Sequence, residues 1–184
     1  MSLILLIVLV LFLVGGLPNW GYHNYGFAPS GVAGVVLLDE LLDSRVLLAE
    51  PDWDAWRREL DLQLRAHAGD PERQMDALRH FQHAQTFRLL AQDLNGRLTV
   101  ERLADHLSAL ADIVLAATLE HCWAQMHGEA KPAPPKFAII GYGKLGGKEL
   151  GYASDLDLVF LYDDPDESAP ERYARLAHRL NTWL

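Results

Sequence analysis

Seven residues, Lys148 to Ser154, separate a glycine-rich turn from the strand pattern that follows it, and this interval limits the fold more than any other feature. The apolar run Phe137 to Ile140 leads into Gly141-Tyr142-Gly143-Lys144-Leu145-Gly146. That is formally the G-x-G-x-x-G of a dinucleotide site, and an acid, Asp163, follows at about the distance a ribose-binding carboxylate would take. A dinucleotide fold also needs a crossover helix joining parallel strands, at least about 10–12 residues in all. The interval here contains Gly151, which weakens a helix, so one turn at Lys148-Glu149-Leu150 is all that fits. The spacing predicts two antiparallel neighbours and makes Asp163 a strand-end acid. A Walker A loop is excluded as well, because Lys144 is followed by Leu145 in place of Ser or Thr.

The Asp-x-Asp that opens "DLDLVFLY" is the stronger chemical signal. In a strand, residues i and i+2 share a face, so Asp155 and Asp157 project together and Leu156, Leu158 and Phe160 lie opposite. Two carboxylates about 6 Å apart repel by roughly 3 kcal/mol at an effective dielectric of 20. A divalent cation removes that penalty, and Mg²⁺ is commonly held by one or two carboxylates plus substrate phosphates. A second metal nearby would clamp the attacking and leaving oxygens of a phosphoryl displacement. Two solvated acids at a strand start are the competing reading. The upstream turn favours the metal: Gly141 and Gly143 let backbone N–H groups approach a triphosphate, and Lys144 supplies a positive charge.

Ahead of this block, residues 39–128 carry helical periodicity. Trp53, Trp56, Leu60 and Leu64 mark one face of a helix that Pro51 can open. Asp70-Pro71-Glu72 is a start signal for a second helix burying Met75, Leu78, Phe81, Leu89 and Leu90, with Asn95-Gly96 as its stop. Thr99 can cap a third, with Leu103, Leu107, Leu110, Val114 and Leu119 inward. His80 and His83 are two ligands at most, so they read as a solvated face, and the lone Cys122 reads as core in a reducing compartment. Residues 129–136 form a Pro-rich linker. Residues 137–184 hold the chemistry and a last helix, capped by Ser168 and carrying Tyr173, Leu176, Leu180 and Trp183. That helical pattern reaches Leu184 without a stop signal and reads as cut short. The expected class is α+β: a helical bundle, then the start of a mixed sheet with a flanking helix.

Charge is unevenly placed. The chain has 16 Lys and Arg against 25 Asp and Glu, net -9, which gives a nucleic-acid partner no support. None of those charges falls in residues 1–38. Leu3 to Leu17 is an unbroken apolar run rising about 22 Å as a helix, short against a hydrocarbon core of roughly 30 Å. Trp20, Tyr22 and Tyr25 behind it suit a membrane interface, so membrane attachment through residues 3–17 is expected. A buried hydrophobic helix is the alternative.

The stretch "GYGKLGGKELGYASDLDLVFLYD" closely resembles the active-site motif of the bacterial glutamine synthetase adenylyltransferases, members of the nucleotidyltransferase superfamily. "LLDELLDSRVLL" and "LRHFQHAQTFRLLAQDLNGRLTVERLADHLSALAD" are similar to the helical region before that family's core, so the resemblance covers Leu38 to Leu184. It implies a nucleotidyltransferase-type sheet and Mg²⁺-dependent transfer of AMP from ATP to a tyrosine of glutamine synthetase. Asp155 and Asp157 would be metal ligands, with Gly143, Lys144 and Ser154 at the ATP phosphates. A third carboxylate would come from a later strand, beyond Leu184. Partners implied for the whole enzyme are glutamine synthetase and a PII-type nitrogen-signalling regulator, with the catalytic part in the cytoplasm. Family enzymes carry two cores, one adding AMP and one removing it by phosphorolysis, and this form of the motif is more similar to the adding, C-terminal core. The removing core, a Rossmann-like nucleotide module and an inactive truncated chimera are the alternatives. Residues 1–38 loosely resemble very short bacterial membrane proteins of unknown function, which implies that two unrelated sequences meet near Leu38, as a fusion or an assembly artefact.

Overall fold

The computed structural model describes residues 47–128 and 132–184, all within the unit Leu37–Leu184. The apolar run 3–17, the junction near Leu38 and the first part of the linker lie outside the described residues. Seven elements follow in order: α1 (Trp53–Ala66), α2 (Pro71–Leu94), α3 (Val100–His127), β1 (Phe137–Gly141), the one-turn α4 (Gly143–Gly146), β2 (Leu158–Tyr162) and α5 (Ala169–Trp183). Among the described residues this is an α+β chain, as its pattern predicts.

Capping chemistry sets the helix starts. The Asp52 carboxylate accepts from the Ala55 N–H at 2.9 Å, so Asp52 caps α1, and Pro51 stands one residue outside the cap instead of opening the helix. Asp70 caps α2 with Pro71 inside it, and Thr99 caps α3 through the Arg102 N–H. Ser168 sits at the start of α5 without capping it. Its hydroxyl donates to Asp166 instead, at 3.0 Å.

α1, α2 and α3 each pack on the other two, and α5 packs on α3. The contact is apolar: Leu60, Leu78, Phe81, Leu89, Ile113, Val114, Leu176 and Leu180 are almost completely buried. Met75 and Leu90, expected in this core, are only half-buried. Three glutamines, Gln74, Gln85 and Gln92, occupy the seam of α2 beside its leucines. Buried amides need partners, and two have them in backbone carbonyls left over where chains end or turn. Gln74 donates to Leu64 O at 2.9 Å, and Gln92 donates to Ala49 O at 2.9 Å. α3 is long and apolar enough by length and composition to cross a membrane, but half of that stretch is buried in helix packing.

β1 and β2 are antiparallel, with Ile139 opposite Phe160 and Gly141 opposite Leu158. This excludes the parallel crossover of a dinucleotide fold. The helical turn expected at Lys148-Glu149-Leu150 is instead inside the glycine motif, at α4. Lys148 takes a left-handed φ of 53° and stops it, and Leu150 turns into the core. On the inner face of the sheet, Phe137, Ile139, Leu158 and Phe160 pack towards the helices. Tyr173 of α5 joins the layers by stacking on Phe137, Tyr162 and Trp123 at 5.6, 5.0 and 5.8 Å.

Candidate active site at the glycine turn

Chain direction reverses twice around α4, and the reversals bring the glycine motif against the Asp-x-Asp. The ladder extends one bond past β1, because the Tyr142 N–H donates to Asp157 O at 2.8 Å. β2 begins only at Leu158, so both aspartates precede the strand instead of opening it. The physical reason is register: β1 ends opposite Leu158, so beyond it only the single bond from Tyr142 to Asp157 O continues the ladder. The expected alternation survives in this extended approach. Asp155 and Asp157 are exposed while Leu156 and Leu158 are half-buried against the core. Being exposed, the two carboxylates are screened by water, and their repulsion is milder than a buried strand would impose.

Gly143 is constrained in two ways. Its φ is +53°, a left-handed backbone that side chains rarely adopt. A Cβ placed there would overlap the Asp157 Oδ2 and lie 3.2 Å from its Cγ. The missing side chain is therefore the space in which the Asp157 carboxylate sits. Because α4 is a single turn, the N–H groups of Gly143 and Lys144 have no intrahelical acceptor. Lys144 and its neighbour in the motif, Gly143, are both exposed.

Gly141 is placed differently. It lines a cleft of about 380 Å³ between the turn and α3, together with Ser108, Asp112, Leu145, Gly146 and Lys148. Asp155, Asp157 and Ser154 do not line it. Ser154 closes its own short turn: its hydroxyl accepts the Gly151 N–H at 2.9 Å, and its N–H donates to Gly151 O at 3.1 Å. The hydroxyl proton stays available to a ligand. Asp163 leads out of β2 with its N–H on Lys136 O, a strand-end acid as expected. Its neighbour Asp164 is the structural one. Desolvation pushes its carboxyl up, but the Asp166 N–H, the Tyr173 hydroxyl, Lys136 and Arg172 together hold it below the usual range.

The two carboxylates are donors of the kind Mg²⁺ takes. Asp155 and Asp157 offer hard oxygen atoms and make no hydrogen bond or ion pair with another described side chain, and Gly143 leaves room at one of them. No group of three His, Cys, Asp or Glu that could hold a metal occurs among the described residues. His80 and His83 form no such site either.

Sequence comparison decides the family. The family described as glutamate-ammonia ligase adenylyltransferase matches residues 33–184. The chain belongs to that adenylyltransferase family. It is 60% identical over 152 residues to the bifunctional glutamine synthetase adenylyltransferase/adenylyl-removing enzyme of Chromobacterium violaceum, covering 81% of this chain and 17% of that protein. The enzyme of the same description from Neisseria meningitidis is 58% identical over 149 residues, 81% of this chain and 16% of its own. That from Nitrosomonas eutropha is 53% identical over 173 residues, 91% and 18%. The chain thus spans about a sixth of the length of the curated adenylyltransferases it matches. Residues 1–39 match a second family, described as a protein of unknown function (DUF3309).

Spacing does not single out Tyr152, although its hydroxyl donates to Asp93 Oδ2 at 3.0 Å, across 59 residues. The one sequence signal is Asp93 itself, an acid in the last turn of α2, where the helix dipole disfavours negative charge.

Proposed function

We propose that this chain carries the phosphate- and metal-binding part of a core that transfers AMP from ATP to a tyrosine hydroxyl of glutamine synthetase. The observation that supports it most is the Asp157 carboxylate lying in the space left by Gly143, in a turn whose Gly143 and Lys144 N–H groups have no intrahelical acceptor. In this reading Asp155 and Asp157 hold Mg²⁺, which when bound neutralises charge on the ATP phosphates. The Gly143 and Lys144 N–H groups donate to phosphate oxygens. The Lys144 ammonium offsets the remaining charge, and the Ser154 hydroxyl donates its free proton. Together these groups fix the triphosphate so that the tyrosine oxygen meets the α-phosphorus in line with the departing pyrophosphate.

Glutamine synthetase is the protein substrate in this reading, and a PII-type regulator acts on the whole enzyme. The catalytic part works in the cytoplasm, and residues 3–17 attach the chain to a membrane. ATP binding by the 184-residue chain, titrated with Mg²⁺, tests the site directly. Binding is expected only with Mg²⁺, and Asp155→Asn/Asp157→Asn is expected to abolish it. Metal-independent binding, or full binding by the double variant, removes the metal assignment. With label on the α-phosphate, transfer to glutamine synthetase marks an adding core; release of ADP from adenylylated glutamine synthetase on adding inorganic phosphate marks a removing one.

A further inference from the structure

We propose that the Tyr152–Asp93 hydrogen bond is a positioning latch, anchoring the segment that bears Asp155 and Asp157 on the end of α2 and so setting its distance from the glycine turn. The proposal rests on reading Asp155 and Asp157 as the Mg²⁺–ATP site.

The segment from Gly147 to Asp157 has two apolar anchors, Leu150 in the core and the half-buried Leu156. Between them Gly151 to Ser154 form a surface turn closed by two reciprocal hydrogen bonds, with Tyr152 within it. A closed turn moves as a unit, so whatever holds Tyr152 also holds Ser154 and the adjoining Asp155. The holding group is Asp93, at 3.0 Å, on another element. Its position is unfavourable for the helix alone, since α2 has no basic residue in its last turn to balance it. A phenol donating to that carboxylate accounts for its presence.

The anchor point is itself firm. The Asn95 side chain donates to Ala91 O at 2.6 Å, the Gly96 N–H donates to Asp93 O at 2.8 Å, and Gln92 next to Asp93 is tied to Leu47 O and Ala49 O. The turn therefore docks on a helix end tied by both side-chain and backbone hydrogen bonds. Burial, and then the Asp93 carboxylate, push the Tyr152 phenol above its ordinary range, so the donor keeps its proton at neutral pH.

The test uses the full chain with Tyr152→Phe, Asp93→Ala, their double variant and Asp93→Asn. Two quantities are read: amide hydrogen exchange over residues 148–157, and the Mg²⁺ concentration giving half-maximal ATP binding. Tyr152→Phe is expected to raise exchange at residues 151–157 by about fivefold and the Mg²⁺ midpoint by about fivefold, the scale of one ordinary hydrogen bond at an exposed site. Exchange in α3 and the melting temperature stay unchanged. Asp93→Ala reproduces both effects, the double variant adds nothing, and Asp93→Asn, which keeps an acceptor, stays near wild type. Unchanged exchange and midpoint in Tyr152→Phe, or additive losses in the double variant, overturn the latch. A wild-type chain that binds no ATP overturns the reading of the site instead, and exchange alone then decides whether Tyr152 fixes the turn.

Discussion

Replacing Gly143 by alanine separates backbone strain from displacement of the Asp157 carboxylate, provided two other glycines serve as references. Gly96 also has a left-handed φ, +68°, but nothing lies within 4 Å of a Cβ built there. Gly96→Ala thus incurs only the backbone cost, about 1–2 kcal/mol. For a chain of this length that lowers the melting temperature by about 2–8 °C. Gly151→Ala meets only the Ser154 Oγ at 3.7 Å, ordinary contact, and is expected to leave stability within about 0.5 kcal/mol. Gly143→Ala carries the backbone cost of Gly96→Ala and also puts a methyl group on the Asp157 Oδ2. That carboxylate is an exposed side-chain end and can rotate away, so the added cost in stability is small. On the proposed reading its effect on ligand binding is large, because a carboxylate assigned to the metal moves off the side of the turn assigned to phosphate. Loss of one charged contact of about 1.5–3 kcal/mol corresponds to roughly 10–100-fold in Mg²⁺–ATP affinity. Thermal unfolding followed by circular dichroism gives the first quantity, and calorimetric titration with Mg²⁺–ATP gives the second. Gly143→Ala binding within about twofold of wild type, with a melting point matching Gly96→Ala, would refute the coupling of Gly143 to Asp157.

Burial holds His106 and His121 below the ordinary histidine range, each facing other groups that modify the effect: Arg102, Glu50 and Asp105 for His106, and Asp61 for His121. Unfolding raises their affinity for protons, so stability is fully present above about pH 6.5 and falls as pH drops through that value; urea midpoints at pH 7.5 and 5.5 check it, and equal midpoints contradict it. Cys122 is buried and its thiol is pushed up to about 12, so a thiol reagent at pH 8 should label it only after denaturation. Leu60→Ala, at a fully buried position between α1 and its neighbours, should cost about 2–5 kcal/mol in unfolding free energy, read from a denaturant titration.

Features that rest on local rules are legible in the residues, and features that rest on distant partners are not. The seven-residue interval forces β1 and β2 antiparallel because chain length is a local quantity, and the helix starts at Asp70 and Thr99 follow from the side chain and the first free N–H groups alone. The helical turn was displaced from Lys148-Glu149-Leu150 to Gly143–Gly146 because Leu150 had a core to enter, which no local propensity records. The seam glutamines of α2 fail a hydrophobic-pattern test for the same reason: Gln74 is buried because Leu64 O, ten residues away, needs a donor.

The Asp-x-Asp shows both sides of this division. The alternation that exposes Asp155 and Asp157 together is a period-two property and can be read directly, but what makes room for the Asp157 carboxylate is not in the pair. It is the absence of a side chain at Gly143, fourteen positions before Asp157, and that absence has meaning only once the ladder carries Asp157 O onto the Tyr142 N–H. A glycine kept for a tight turn and a glycine kept to admit a carboxylate look identical in sequence. Here one residue meets both demands, because the left-handed φ that starts α4 is also what turns the bare Cα towards Asp157. Any residue that tolerated the backbone but carried a Cβ, asparagine included, would keep the turn and lose the room for the carboxylate.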